Sequence, residues 1–111
     1  MIRVGAALLL SFACADDGGP RLATVTPAEA PVGAIVTISG ERLCGESGDC
    51  ETAGGSIRLG YDNPVQTMII DYSNSSAQVR IPSIATVGDT VLLATVNERA
   101  SNALDFRVLA P

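Results

Sequence analysis

The chain has 111 residues, a formal net charge of -5, seven Arg, no Lys and no His. Such acidity excludes phosphate-tracking nucleic-acid binding, which needs clustered cations. The absence of His excludes Ser-His and Cys-His catalytic pairs. This length suits one domain with a modest core. Aromatics are few, so that core must be built from Val, Ile, Leu and Ala.

The N-terminal residues read as a leader. Arg3 is a minimal positive region, and Val4 to Ala13 is an apolar stretch of small residues and leucines. About ten residues are too few for a bilayer-crossing helix, which needs about 20. Residues 1–14 are therefore read as an export signal. Its end has two readings. Leu10-Ser11-Phe12-Ala13-Cys14 resembles the lipobox of bacterial lipoproteins, with Ser11 where that pattern prefers Leu. Ala13-Cys14-Ala15 also fits an ordinary A-x-A cleavage site. The first reading makes Cys14 the lipidated N-terminus and the membrane a partner. Ala15 follows Cys14, with Asp16 and Asp17 only after it, which in Gram-negative sorting points to the outer membrane. The second reading gives a secreted or periplasmic protein.

Residues 15–20, with Asp16-Asp17-Gly18-Gly19-Pro20, have the composition of a flexible tether. Fully stretched from Cys14 to Pro20, seven residues reach about 25 Å. Cys14 is lipidated or removed, so Cys44 and Cys50 are left to pair in an oxidising compartment. Closing so short a loop stabilises by about 2 kcal/mol in the chain-entropy estimate. A zinc site is a poor reading of two cysteines without histidine.

Residues 21–111 read as one all-β domain. Arg21 to Thr26 is a first strand whose Leu22 and Val25 break alternation, which implies a bulge or a change of partner. Pro27 ends it, and 28–32 is a connection. Ala34, Val36 and Ile38 alternate with Ile35, Thr37 and Ser39 in a second strand closed by Gly40. Residues 41–56 are irregular, Gly-rich and acidic. Ile57 and Leu59 face inward from the next strand, and Tyr61-Asp62-Asn63-Pro64 is a turn. Val65 to Tyr72 is a strand of open phase, since Val65/Thr67/Ile69 and Met68/Ile70/Tyr72 both form plausible inner faces. Ser73-Asn74-Ser75 turns the chain. Asn74-Ser75-Ser76 matches a glycosylation sequon, discounted behind a bacterial-type leader. Ala77, Val79 and Ile81 point inward before Pro82. Leu92, Ala94 and Val96 do so from a strand at 89–97, and Glu98-Arg99-Ala100-Ser101 is a turn. Leu104, Phe106 and Val108 alternate inward in the last strand. Seven strands at this spacing signal a β-sandwich.

A family resemblance follows from the order of several short motifs. These are Val25-Thr26-Pro27, Pro31-Val32-Gly33, Val36-Thr37-Ile38-Ser39-Gly40, Ile57-Arg58-Leu59-Gly60, Val79-Arg80-Ile81-Pro82, Gly88, and Ser101-Asn102 with Phe106-Arg107-Val108. Together they resemble an IPT/TIG domain, an immunoglobulin-like early-set sandwich, over about residues 21 to 109. The cysteine-closed loop and the single Gly60, where a glycine pair is common, depart from that pattern. The resemblance implies a fold and a role class without catalytic residues. Such domains occur in surface receptors, some transcription factors, bacterial surface proteins and beside carbohydrate-active enzymes.

Three site chemistries bear on function. Catalysis finds no His, no Gly-x-Ser-x-Gly elbow and little cleft, so no enzyme and no cofactor are expected. Calcium takes clustered oxygens, and Glu46, Asp49 and Glu51 in the cysteine loop, with Glu41 nearby, are the residues that would supply them. They lack EF-hand spacing, and the plain reading is a solvated acidic loop. Glycan binding would fall to Tyr61 or Tyr72, which serve equally well as caps at the core edge. The expected function is a non-enzymatic interaction or scaffold module in the envelope, with an envelope or extracellular protein as partner. The alternative is a secreted carbohydrate- or calcium-binding accessory domain.

Overall fold

The computed structural model describes residues 19–51 and 55–110. The leader, Cys14 and residues 15–18 of the tether lie outside the described residues. The described residues form ten strands in two packed sheets and no helix. They are β1 (Arg21–Thr26), β2 (Glu29–Pro31), β3 (Ile35–Glu41), β4 (Ser56–Leu59) and β5 (Val65–Gln66), followed by β6 (Met68–Tyr72), β7 (Ser76–Arg80), β8 (Gly88–Val96), β9 (Arg99–Ala100) and β10 (Leu104–Leu109). One sheet has the order β1-β3-β7-β6; the other is β2-β10-β8-β4-β5, with β9 a hairpin partner of β8. All pairings are antiparallel except β2 with β10. This is an immunoglobulin-like β-sandwich, as the strand spacing implies.

The core lies between the sheets. Val36 and Ile38 from β3, Ile57 and Leu59 from β4, Val79 from β7, Leu92 from β8, and Phe106 and Val108 from β10 are all buried. Ile81, just past β7, joins them. Leu104, expected inside, is only partly buried, because it opens β10 at the margin of the sheet. Period-two alternation thus located the inner face of β3, β4, β7, β8 and β10.

Seven strands became ten where short pairings escape a pattern of alternation. Glu29–Pro31 lies in the Pro-flanked connection, yet a three-residue parallel ladder there holds Ala30 opposite Val108. Arg99–Ala100, a turn by residue type, is a short strand. The chain turns instead at Asn97 and Glu98, both at positive φ (52° and 68°), as a two-residue hairpin needs to match strand twist. The Val65–Tyr72 segment splits between the sheets. Thr67 sits at the crossing, buried, and both its backbone N–H (3.0 Å) and its hydroxyl (2.8 Å) donate to the Ile57 carbonyl. A register shift between Ile69 and Asp71 then bulges Ile70 outward, so Ile69 and Tyr72 both turn in. The Val65/Thr67/Ile69 face is therefore the inner one through Ile69, and of the Met68/Ile70/Tyr72 face only Tyr72, past the bulge, turns in. The bulge implied by Leu22 and Val25 is present, between Leu22 and Thr24.

Gly40 does not close its strand. β3 continues to Glu41, and Gly40 lies where the Arg21 carbonyl presses onto β3, leaving no room for a Cβ. The glycine is there for close approach of two backbones.

Candidate binding surface at the open end of the sandwich

The two ends of the sandwich differ in construction. At one end lie the start of β1, the disulfide loop, the Ser73–Ser75 turn and the Asn97-Glu98 hairpin. Cys44 and Cys50 are bonded, with Cα atoms 4.8 Å apart. Leu43 and Cys44 are fully buried, so this irregular loop inserts a plug into the core. Asn74 holds the plug: its backbone carbonyl accepts from Leu43 N–H at 3.0 Å, and its Oδ1 accepts from Cys44 N–H at 3.1 Å. The Tyr72 hydroxyl donates to the Leu43 carbonyl, and burial raises this phenol above its ordinary pKa. Asn102 clasps β1 through both its amide atoms, accepting from Leu22 N–H at 2.8 Å and donating to the Leu22 carbonyl at 3.0 Å. Arg42 Nε donates to the Gly19 carbonyl at 2.9 Å, so the chain enters the domain at this end.

The acids proposed for calcium lie here and do not converge. Glu46 pairs with Arg99 at 3.4 Å, Glu41 with Arg42 at 3.7 Å, and Asp49 Oδ1 accepts from Glu51 N–H at 3.1 Å. Among the described residues no three acids, cysteines or histidines gather as a metal site.

At the other end the loops project apolar side chains into solvent. Tyr61 is 67% exposed, Ile84 72% and Val87 53%. Local chemistry builds this tip. Gly60, at φ 130°, donates its N–H to the Val91 carbonyl at 3.0 Å, and a Cβ there would lie 3.2 Å from the Pro64 Cα. The following turn therefore stands off the sheet, and Leu59 pairs with Val65 as the chain returns. A cleft of about 310 Å³ runs between Tyr61 and the Ile84–Val87 loop, floored by Asp89 and Thr90. A second, of about 450 Å³, runs from the other flank of Tyr61 along Asp89, Asp105 and Arg107. Arg107 Nε pairs with Asp89 at 3.5 Å. Around the corner a more apolar groove of about 540 Å³ lies beside Met68 and Arg80.

The structure thus separates the two tyrosines that the sequence leaves equivalent. Tyr72 caps the core edge and Tyr61 faces water. Alternation identifies neither Leu43, Asn74 nor Asn102, since all three lie outside the strands. Ile84 and Val87 also lie outside the strands, although two large apolar residues in a loop of small ones carry a signal.

No protein-family model and no curated protein sequence matches the chain. Solved structures do match in fold. The chain is similar to part of a gamma-CGTASE from Alkalophilic bacillus clarkii, with a TM-score of 0.66 and 20% identity over 83% of this chain and 12% of that one. It is similar to part of an auxiliary nutrient binding protein from Bacteroides thetaiotaomicron VPI-5482, with a TM-score of 0.57 and 14% identity over 86% of this chain and 21% of that one. A DUF4784 family protein from Bacteroides caccae ATCC 43185 gives a TM-score of 0.57 and 16% identity over 78% of this chain and 23% of that one. The chain therefore spans under a quarter of the length of each of these proteins. At these identities the likeness defines the class as an immunoglobulin-like all-β domain and carries no activity with it.

Proposed function

We propose that this chain is an IPT/TIG-type binding module that works outside the cytoplasm without catalysis, tethered by lipid at Cys14 and delivered to the outer membrane. The observation that carries this reading is the opposition of the two ends. The chain enters beside the disulfide loop, and the exposed Tyr61, Ile84 and Val87 lie at the far end of the same strands. A tether from Cys14 would hold the clamped end toward the membrane and present the tip away from it. The Cys44–Cys50 bond supports an oxidising compartment. The chain has no His, and Asp89, the carboxylate shared by the two clefts beside Tyr61, is ion-paired with its side chain 82% exposed, a poor setting for acid–base work. A lipid group of several acyl chains anchors far more firmly than a single myristoyl.

Intact-mass analysis of the exported protein tests the anchor. Diacylated or triacylated Cys14 is expected, and a chain beginning at unmodified Asp16 would overturn it. Orientation is tested in proteoliposomes bearing quencher lipid. A fluorophore at Glu46 should be quenched more than one at Val87, and equal quenching would remove the end-on arrangement.

A further inference from the structure

We propose that Tyr61 is the stacking platform of a neutral-glycan site, built from the two clefts that flank it. This deepens the reading of the chain as a binding module and rests on it. Three aromatic residues fall among the described residues. Phe106 is buried and Tyr72 is turned inward onto Leu43, so Tyr61 alone among them presents its ring to water. Such exposure leaves apolar area in solvent, while its neighbours on the same turn, Asp62 and Asn63, are polar. The turn is also pre-set, since the Gly60 N–H is bonded to β8 and Leu59 is paired with Val65 on either side of it. A platform that does not have to be ordered on binding loses less entropy.

The clefts favour a sugar over other occupants. Both are lined by Tyr61, Asp89 and Thr90, so they form one path that passes the ring on two sides. Volumes of about 310 and 450 Å³ lie in the range of small-ligand sites. A pyranose has an apolar C–H face and a rim of hydroxyls. The ring of Tyr61 suits the face. The rim needs planar groups that accept or donate in pairs, and Asp62 and Asn63 on one flank with Asp105 and Arg107 on the other are such groups. The charge balance sets the ligand class. Asp62, Asp89 and Asp105 outnumber Arg107, which is already paired with Asp89, so an anionic ligand meets repulsion. A standard protein interface buries about 800 Å² on each partner, whereas the surface here is divided by two clefts that carry Asp62, Asp89, Asp105 and Arg107 in their lining.

Native affinity electrophoresis tests this with amylopectin, barley β-glucan and arabinoxylan as neutral probes and polygalacturonate as the charged one. Retardation is expected in at least one neutral gel. Tyr61→Ala should weaken it about tenfold in dissociation constant, and Tyr61→Trp should keep it. Far-UV circular dichroism of the three proteins should coincide, since the ring is outside the core. No retardation in any neutral gel, retardation by polygalacturonate alone, or retardation that survives Tyr61→Ala in a folded protein overturns the proposal. So does a co-purifying protein lost with Tyr61→Ala when no glycan retards the chain. The anchor is read from N-terminal mass, so either proposal can fail while the other stands.

Discussion

The clamped end and the open end of this sandwich use the same strands for different purposes. At the clamped end side chains turn inward and bond to backbone: Asn102 to Leu22, Asn74 to Cys44, and Tyr72 to Leu43. At the open end the loops hold their own backbone and send side chains outward. Gly33 N–H donates to the Ile81 carbonyl at 2.8 Å and Ile81 N–H to the Ala34 carbonyl at 2.9 Å, which leaves Ile84 and Val87 free of the core. The difference teaches where substitutions should be tolerated. Polar residues matter for stability at the first end, and apolar residues are spare for stability at the second.

The largest contrast should come from one substitution made at each end. In Gly40→Ala the new methyl meets the Arg21 backbone carbonyl, so β1 must move. A loss of about 3 kcal/mol is expected. In Gly33→Ala the methyl meets nothing within 4 Å, and only the positive φ of 87° is strained. That should cost about 1 kcal/mol. Urea denaturation gives both values, and equal losses would break the comparison.

The disulfide sharpens it next. Removing either cysteine opens a short loop, worth about 2 kcal/mol. The two partners are not equivalent, because Cys44 is fully buried beside Leu43 while Cys50 is only partly covered. Cys44→Ser should therefore cost about 1 kcal/mol more than Cys50→Ser, through a hydroxyl placed in the core. Reduced wild-type protein should match Cys50→Ser. Equal midpoints for the two variants would mean that the loop does not plug the core.

Tyr72 gives the clamped end a pH signature. Burial raises its phenol, so the folded chain holds this proton more tightly than the unfolded chain does. The stabilisation is fully present below the unfolded pKa of about 10 and is lost as pH rises through the raised folded value. Denaturation midpoints should fall in that alkaline window. Tyr72→Phe should flatten the fall while losing about 1 kcal/mol near neutrality with its hydrogen bond. An unchanged alkaline slope in Tyr72→Phe would place the titrating group elsewhere.

Most of the sandwich was legible because one physical rule, alternation, governs β3, β4, β7, β8 and β10. Ile57, Val79 and Phe106 each betray a buried face by their spacing alone. The rule fails where pairing is short or switches sheet. Nothing in Val65–Tyr72 announces that Thr67 crosses between sheets or that Ile70 bulges, since both events depend on which strands flank the segment. The surface was legible only in part. Tyr61 was singled out with Tyr72, and their opposite fates are decided by partners distant in sequence. Leu43 offers Tyr72 a carbonyl from 29 residues away, and Gly60 turns Tyr61 off the sheet. Asn102 is the extreme case, since it meets Leu22 across 80 residues of chain.

The smallest expected effect tests the open end directly. Ile84 and Val87 are 72% and 53% exposed, and little apolar area is lost from the core if either becomes Ser. Each variant should stay within about 0.5 kcal/mol of the parent, as surface changes usually do. The same pair should still matter for what the surface meets, because exposed aliphatic side chains favour apolar contact. Retention on a mildly hydrophobic resin should therefore drop in the double variant while the thermal midpoint holds. A loss above about 1 kcal/mol from either single change would be too large for a side chain in water. It would mean that Ile84 and Val87 close the sandwich as Leu43 does at the other end, and that the two ends are built alike.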